Sequence, residues 1–272
     1  MVPTLTIIAL LFGAIVCVAV PTLLYVWMRK RANQLLLAAF AGGLGFFVMQ
    51  IVIRIPIVQV VAMTDWFANL APFLAALLLG STAALFETVG RYGTMVIFLK
   101  DDKRFSAAFA HGVWHGGVEA IMLVGLNFGI YAVFAILLNI GLMDGIAASF
   151  SDSTTDLGET ISLLTDVLTT TPWHEFLWGT FERVVTIFIH IGLSVLVMFS
   201  RYRRQFRYTA LAFLIHMTLD TLIVVLVQQG MSIFIIELTA LAFAICVVII
   251  IKFVYREYKK DHFKQEEVNA HD

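Results

Sequence analysis

Long apolar stretches alternate with short polar ones along the chain. Each stretch is long enough for a helix to cross about 30 Å of hydrocarbon, which takes roughly 20 residues. None alternates apolar and polar positions as a barrel strand does, so the pattern predicts an all-α, polytopic membrane helix bundle of about seven transmembrane helices. The stretches cover residues 5–28, 35–60, 67–98, 106–141, 173–200, 208–228 and 232–255.

Basic residues predict the orientation of these helices. Fifteen of the 18 Lys and Arg residues follow the first, third, fifth and seventh stretches, whereas the intervening connections contain none. Because basic residues concentrate in cytoplasmic loops, we expect the N-terminus outside and the C-terminus in the cytoplasm. The first stretch begins uncharged and ends at Arg29, Lys30 and Arg31, so we expect a retained helix rather than a cleaved signal peptide.

Composition leaves no room for a soluble domain. The chain is 60% hydrophobic and 14% charged, which is far more apolar than a soluble domain. We therefore expect a single transmembrane domain over residues 1–258, with an outer loop at about 142–172, and a charged cytoplasmic tail at 259–272. In the loop, Leu157, Ile161, Leu164 and Leu168 share one helical face, which predicts a short interfacial helix. The apolar composition predicts membrane lipids as partners, and a net charge of −1 gives no sign of a nucleic-acid partner.

Many ionisable residues interrupt the apolar stretches. Each charged group at mid-bilayer costs at least about 2.5 to 3.5 kcal/mol, so such residues are functional candidates. Those at four-residue spacing share one helix face, as Glu87 and Arg91 do, and His216 and Asp220. The full set is Arg54, Glu87, Arg91, His111, His115, Glu119, Glu182, Arg183, His190, His216, Asp220 and Glu237.

Depth along the helices groups three histidines. His115, His190 and His216 lie 11, 11 and 9 residues from the nearest basic residue at the predicted cytoplasmic end, or about 14 to 16 Å at the α-helical rise. Three carboxylates lie about one turn deeper. Because the histidines sit on separate helices at a common depth, we expect one buried polar site. The carboxylates are Glu87, Glu119 and Asp220.

These residue types suit hydrolysis of a peptide bond. A carboxylate buried beside histidines is an effective general base for water, and imidazoles can stabilise the oxyanion that forms. We expect Glu119 to be the base and His115 its partner, with His190 and His216 in oxyanion or proton-transfer roles. Asp220 would orient His216. Glu87 is the rival base.

Other roles remain open for the same residues. Three imidazoles, from His115, His190 and His216, with a carboxylate make a zinc site with room for water. Buried acids and histidines also serve as proton relays in transporters, although no inverted repeat is visible.

Several ionisable residues have structural readings. Glu87 and Arg91 are equally consistent with a structural ion pair, and His111 is shallow enough to face cytoplasmic water. For Glu182, Arg183 and Arg54, near the outer face, interhelical charge pairing is the favoured interpretation.

The polar segments resemble a known protease family. Phe86-Glu87-Thr88-Val89-Gly90-Arg91, the 111–119 segment, Phe181-Glu182-Arg183 leading to His190, and His216-xxx-Asp220 are similar to the YhfC family of glutamic-type intramembrane proteases. That family lies within the superfamily of CAAX prenyl endopeptidases and bacteriocin-immunity-type proteases. The superfamily pattern is EExxxR, FxxxH and HxxxN or HxxxD. Only the last is met in full, since Phe86 replaces the first Glu and Thr186 the Phe of FxxxH.

The resemblance implies an intramembrane endopeptidase in the bacterial cytoplasmic membrane. Its substrate would be a membrane-associated or transmembrane peptide, and the glutamic mechanism would need no cofactor, with zinc as the alternative. Arg91, His111 and Glu182 would support the catalytic residues. The layout also resembles the non-proteolytic scaffold subunit of γ-secretase, so a membrane scaffold with a buried polar site is a further alternative. The sequence leaves the oligomeric state open.

Overall fold

The computed structural model describes residues 1–143 and 157–271, so residues 144–156 of the predicted outer loop lie outside it. All regular structure in the described residues is helical, and seven of these helices are long and apolar enough to cross a membrane. The predicted all-α fold with seven spans is therefore confirmed, and its orientation stays a prediction. The helices are α1 Thr4–Arg29, α2 Leu36–Ala62, α3 Asp65–Ala68, α4 Pro72–Phe98, α5 Phe105–Asn139, α6 Leu157–Thr170, α7 Trp173–Arg203, α8 Arg207–Gln228 and α9 Ile233–His271.

The chain forms two compact units. The first comprises Met1–Val20 and Ala120–Val184. Its two ends are tied by a pair of hydrogen bonds: the Val2 backbone N–H donates to Asn139 Oδ1 at 2.7 Å, and Asn139 Nδ2 donates to the Val2 carbonyl at 2.9 Å. The predicted loop helix is present as α6, and its Leu168 is fully buried in an apolar cluster with Leu10 and Phe176.

The second unit comprises Pro21–Glu119 and Val185–Asp272. Its α7 segment is buried without interruption from Ile189 to Ser200. A helix that is apolar on all faces needs neighbours on every side. The segment from Ile189 to Ser200 is largely apolar on every face, which accounts for its burial. In the same unit α4 packs along α8, and α2 packs along the first half of α5.

Two stretches of π-helix interrupt the spans. One runs over Phe47–Arg54 within α2, and the other over Ala120–Gly125 within α5. π-turns are rare and occur frequently at functional sites. The second begins at the residue after Glu119, so the helical register changes next to a candidate site residue.

Candidate active site

One carboxylate oxygen forms the centre of a buried polar cluster. Glu87 Oε2 on α4 lies 3.1 Å from Arg91 Nη2 and 3.2 Å from His115 Nε2. It also lies 3.8 Å from His190 Nδ1 and 3.9 Å from His216 Nε2. All five side chains are buried. The structure thus brings the three histidines of separate helices together around Glu87, the residue that the sequence suggested as the rival base.

Glycines allow the helices to approach closely enough for these contacts. A Cβ on Gly116 would lie 3.0 Å from His190 Cβ and 3.1 Å from Ile187 Cα, and one on Gly112 would lie 2.8 Å from the His190 carbonyl oxygen. All three distances are shorter than most side chains tolerate, so glycine suits both positions. Gly112 and Gly116 thus form a small-residue face of α5 that lies against α7 at His190.

His190 connects the two candidate glutamates. Its Nε2 lies 2.5 Å from Glu119 Oε2, and its Nδ1 contacts the Arg91 guanidinium. A carboxylate only accepts and a guanidinium only donates, so these partners assign the proton to Nε2 and leave a lone pair on Nδ1. Glu119 therefore lies behind His190 as seen from Glu87, and it fixes which ring nitrogen faces the centre.

His216 and Asp220 form the less buried side of the cluster. His216 Nε2 lies 3.3 Å from Asp220 Oδ2, one turn further along α8. The Asp220 side chain is 29% exposed, whereas that of Glu87 is 4% exposed. Asp220 is thus the least buried member of the set, and His216 lies between it and Glu87.

His111 has a structural place. The shallow position predicted contact with water, but that prediction is wrong, because His111 is fully buried. Its Nε2 lies 3.1 Å from Thr94 Oγ1 and its Nδ1 lies 3.2 Å from Ser194 Oγ. Both ring nitrogens are engaged, so His111 links α4, α5 and α7 and stacks on His115 at a ring distance of 6.0 Å.

Three charged residues lie outside this cluster. Arg54 was expected to pair with a charge on another helix, but its side chain donates to the Leu79 carbonyl at 2.7 Å and to Thr82 Oγ1 at 3.3 Å. Glu182, expected to support catalysis, belongs to the first unit and pairs with Arg183, its neighbour on the same helix. For Arg54, the predicted contact between helices is therefore present, but its partners on α4 are neutral acceptors and not a charged group.

Sequence reasoning missed the hydroxyls that hold the cluster. Thr94 donates to the Gly90 carbonyl at 2.8 Å, which leaves its oxygen free to accept from His111. Ser194 is fully buried on α7. The sequence offered little indication of these two residues, because Ser and Thr bond to the preceding helical turn in many helices without functional meaning. Their depth, close to that of His111 and His190, was the one feature that could have identified them.

The donor set fits a zinc ion. Ligand atoms of Glu87, His115 and His190 lie within 4.8 Å of one another, and two ligands of one tetrahedral zinc lie about 3.4 Å apart. The Glu119 carboxylate, 2.5 Å from His190 Nε2, lies where the outer partner of a zinc-binding histidine usually lies. The Arg91 guanidinium contacts two of these three donors, so zinc would have to replace it there.

Substitution of Gly116 by Ala is expected to destabilise the second unit. The added methyl would meet His190 and the α7 backbone, and overpacking of this kind costs about 1 to 3 kcal/mol. The measurement is thermal unfolding of purified protein in detergent. The matched control is Gly129→Ala on the same helix, where nothing lies within 4 Å of the new Cβ; equal losses for both variants would contradict the close approach.

The fold and the cluster define a class of protein: a polytopic membrane protein with histidines from three helices around a buried glutamate. The family model described as "YhfC intramembrane metalloprotease" matches residues 16–241, and the chain therefore belongs to the YhfC family. It is similar to the protein named "Uncharacterized membrane protein YhfC" of Bacillus subtilis (strain 168), with 30% identity over 214 residues that cover 77% of this chain and 80% of that relative. No solved structure gives a significant match.

Family membership bears on two of the sequence predictions, the membrane protease and its cofactor. The chain is an integral membrane protein, and a membrane protease is supported. The description names a metalloprotease, so the expectation that no cofactor is needed is not supported, whereas the zinc alternative is. The glutamic subclass receives no support from the comparisons.

Proposed function

We propose that this protein is a zinc-dependent endopeptidase that hydrolyses a peptide bond of a membrane-associated or transmembrane substrate within the bacterial cytoplasmic membrane. The observation that carries the proposal is the buried set of Glu87, His115 and His190, whose ligand atoms lie within 4.8 Å of one another. These three side chains would hold the ion, and His216 is the next nearest imidazole. When bound, zinc polarises a peptide carbonyl and makes a nearby water molecule more acidic.

The histidine ligands require particular protonation states. Glu119 keeps the His190 proton on Nε2, so Nδ1 presents a lone pair towards Glu87. His115 Nε2 lies 3.2 Å from Glu87 Oε2 and would carry its proton on Nδ1 as a ligand, where no hydrogen-bond partner is present among the described residues. Glu119 therefore acts on the centre through His190, as a positioning residue.

Proton transfer falls to α8 in this scheme. His216 Nε2 lies 3.9 Å from Glu87 Oε2 and 3.3 Å from Asp220 Oδ2. It can therefore pass a proton between the centre and the Asp220 carboxylate, which is partly exposed. Peptide hydrolysis needs such a group twice, first to take a proton from water and then to give one to the leaving amine.

A metal-free mechanism is the second candidate, and Arg91 favours it. Its guanidinium contacts both Glu87 and His190, which gives the centre a fixed positive charge without an ion. In that case Glu87 serves as the ion-pair partner of Arg91. Glu119, with a side chain 11% exposed, would take the proton of the attacking water, with the imidazoles stabilising the oxyanion.

Elemental analysis and cleavage assays separate the two mechanisms. Purified protein is expected to contain about one zinc per chain and to lose cleavage of a membrane-peptide library on chelation, with recovery when zinc returns. His115→Ala and His190→Ala should lose the zinc, and the control His174→Ala, at an exposed histidine, should keep it. Cleavage by metal-free protein that resists chelation would establish the metal-free mechanism instead. Absence of both zinc and cleavage would contradict both.

A further inference from the structure

The basic end of the second unit carries a groove that is separate from the histidine cluster. The groove has a volume of about 890 Å³ and lies between the end of α1, the start of α5 and the Ile251–Lys259 segment of α9. We call it the basic groove. Its rim holds five cationic side chains, from Arg31, Lys103, Arg104, Lys252 and Lys259.

Little of this positive charge is neutralised. Arg104 pairs with Asp102 at 2.8 Å, and this hydrogen bond lowers the pKa of the Asp102 carboxyl. Among the described residues, no carboxylate lies within 4 Å of the Lys103 or Lys252 ammonium group. Arg31 and Lys259 lie over the rings of Trp27 and Tyr255. Four cations thus face one groove without an anionic partner in the described part of the chain.

The wall of the basic groove is aromatic. Phe105 packs on Tyr255 at a ring distance of 4.9 Å and on Tyr258 at 6.2 Å, and Phe109 packs on Trp27 at 5.9 Å. These contacts fix the wall. Aromatic rings concentrate where hydrocarbon meets water in membrane proteins.

The groove is apolar at one end and charged at the other. Ile251, Tyr255 and Lys259 follow one face of α9 at four-residue spacing, and the distance from the first to the last is about 12 Å along the helix axis. An amphiphile with an anionic head and an apolar chain matches this order, because the head reaches Lys259 and Lys103 while the chain lies on the aromatic wall.

We propose that the basic groove binds an anionic phospholipid, with the phosphate held by Lys103 and Lys259 and an acyl chain on the wall formed by Trp27, Phe105 and Phe109. A free phosphate ion would use the cations but leave the aromatic wall unoccupied, and a zwitterionic phospholipid would leave the positive charge unbalanced. The shape and charge of the groove therefore select a lipid with a net negative headgroup.

The proposal is tested by native mass spectrometry of the full-length protein extracted from vesicles with equal parts of dioleoyl phosphatidylglycerol and dioleoyl phosphatidylcholine. Wild-type protein is expected to retain phosphatidylglycerol preferentially. Lys103→Gln with Lys259→Gln should weaken that preference by about 30-fold, since each basic residue near anionic lipid contributes about a factor of five. The matched control, Arg29→Gln with Lys30→Gln, neutralises two exposed basic residues that do not line the groove, and it should keep the preference.

Three outcomes would overturn the proposal. They are equal retention of the two lipids by wild-type protein, equal losses in the groove variant and its control, and full competition by soluble glycerol phosphate, which would identify a phosphate site without an acyl site. If the double variant does not fold, a second measurement uses the conservative Trp27→Phe variant. The difference in fluorescence between the wild type and this variant is the contribution of Trp27. Brominated phosphatidylglycerol should quench that contribution more than brominated phosphatidylcholine does. Equal quenching by the two lipids would also refute the proposal.

Discussion

Glu87→Gln is expected to abolish both zinc binding and peptide cleavage. The substitution removes the one carboxylate oxygen that lies near Arg91, His115, His190 and His216. Loss of metal catalysis is worth several kcal/mol of transition-state stabilisation, so cleavage should fall by at least about a thousandfold. The measurements are zinc per chain and initial rates of cleavage at equal protein concentration.

Glu119→Gln is the matched comparison for this variant. The Gln side-chain oxygen can still accept from His190 Nε2, so the orientation of His190 should persist. Loss of the negative charge weakens this outer partner, so cleavage should fall by no more than about 10-fold to 100-fold, and the zinc should remain. If Glu119→Gln instead abolishes cleavage while Glu87→Gln leaves it measurable, Glu119 is the base, as first expected from the sequence, and Glu87 is structural.

Arg91→Met is expected to destabilise metal-stripped protein by about 3 to 5 kcal/mol, because it leaves the buried Glu87 carboxylate without its charged partner. The side chain of Arg91 is 1% exposed, so water cannot replace the lost contact. The measurement is denaturant or thermal unfolding in detergent, with and without added zinc. Zinc should restore much of the loss, since it would neutralise the same carboxylate and no longer compete with the guanidinium.

A double variant serves as the control for this prediction. Glu87→Gln with Arg91→Met removes both members of the pair, and replacing a buried ion pair by neutral groups costs less than removing one partner. The double variant should therefore be more stable than Arg91→Met alone and should not respond to zinc. A single variant as stable as the wild type, or equal zinc responses in both, would show that the centre is not built around this charge.

The sequence predicted the spans well because bilayer thickness imposes length and apolarity on every helix. It also selected the histidines correctly as a group, since a charge or imidazole within hydrocarbon needs a partner. Among the described residues, their polar partners are the side chains of Glu87, Arg91, Glu119 and Asp220. These side chains cluster because leaving any one of them unpaired within hydrocarbon would cost free energy.

The ranking of the two glutamates did not follow from the sequence. Depth along a helix gives the level of a residue, but rotation about the helix axis decides which neighbour it faces. Glu87 and Glu119 lie at similar levels. Gly80, on the same face of α4 as Glu87, packs against Thr221 of α8, so Glu87 faces α8 and His216. The π-helix after Glu119 was also invisible, because a single extra residue in one turn leaves the apolar pattern almost unchanged.

The hydroxyls that hold His111 solve an ambiguity in how α5 lies against its neighbours. His111 and His115 repeat at four residues, as do Gly112 and Gly116, so sliding α5 by one turn of about 5.4 Å would present the same residue types to α7. Close packing alone scarcely distinguishes the two alignments. Thr94 and Ser194 oppose the alignment that would bring His111 to Glu87, because it would place Ala107 where His111 now bonds to both hydroxyls. Two small alcohols thus favour His115 as the histidine that meets Glu87.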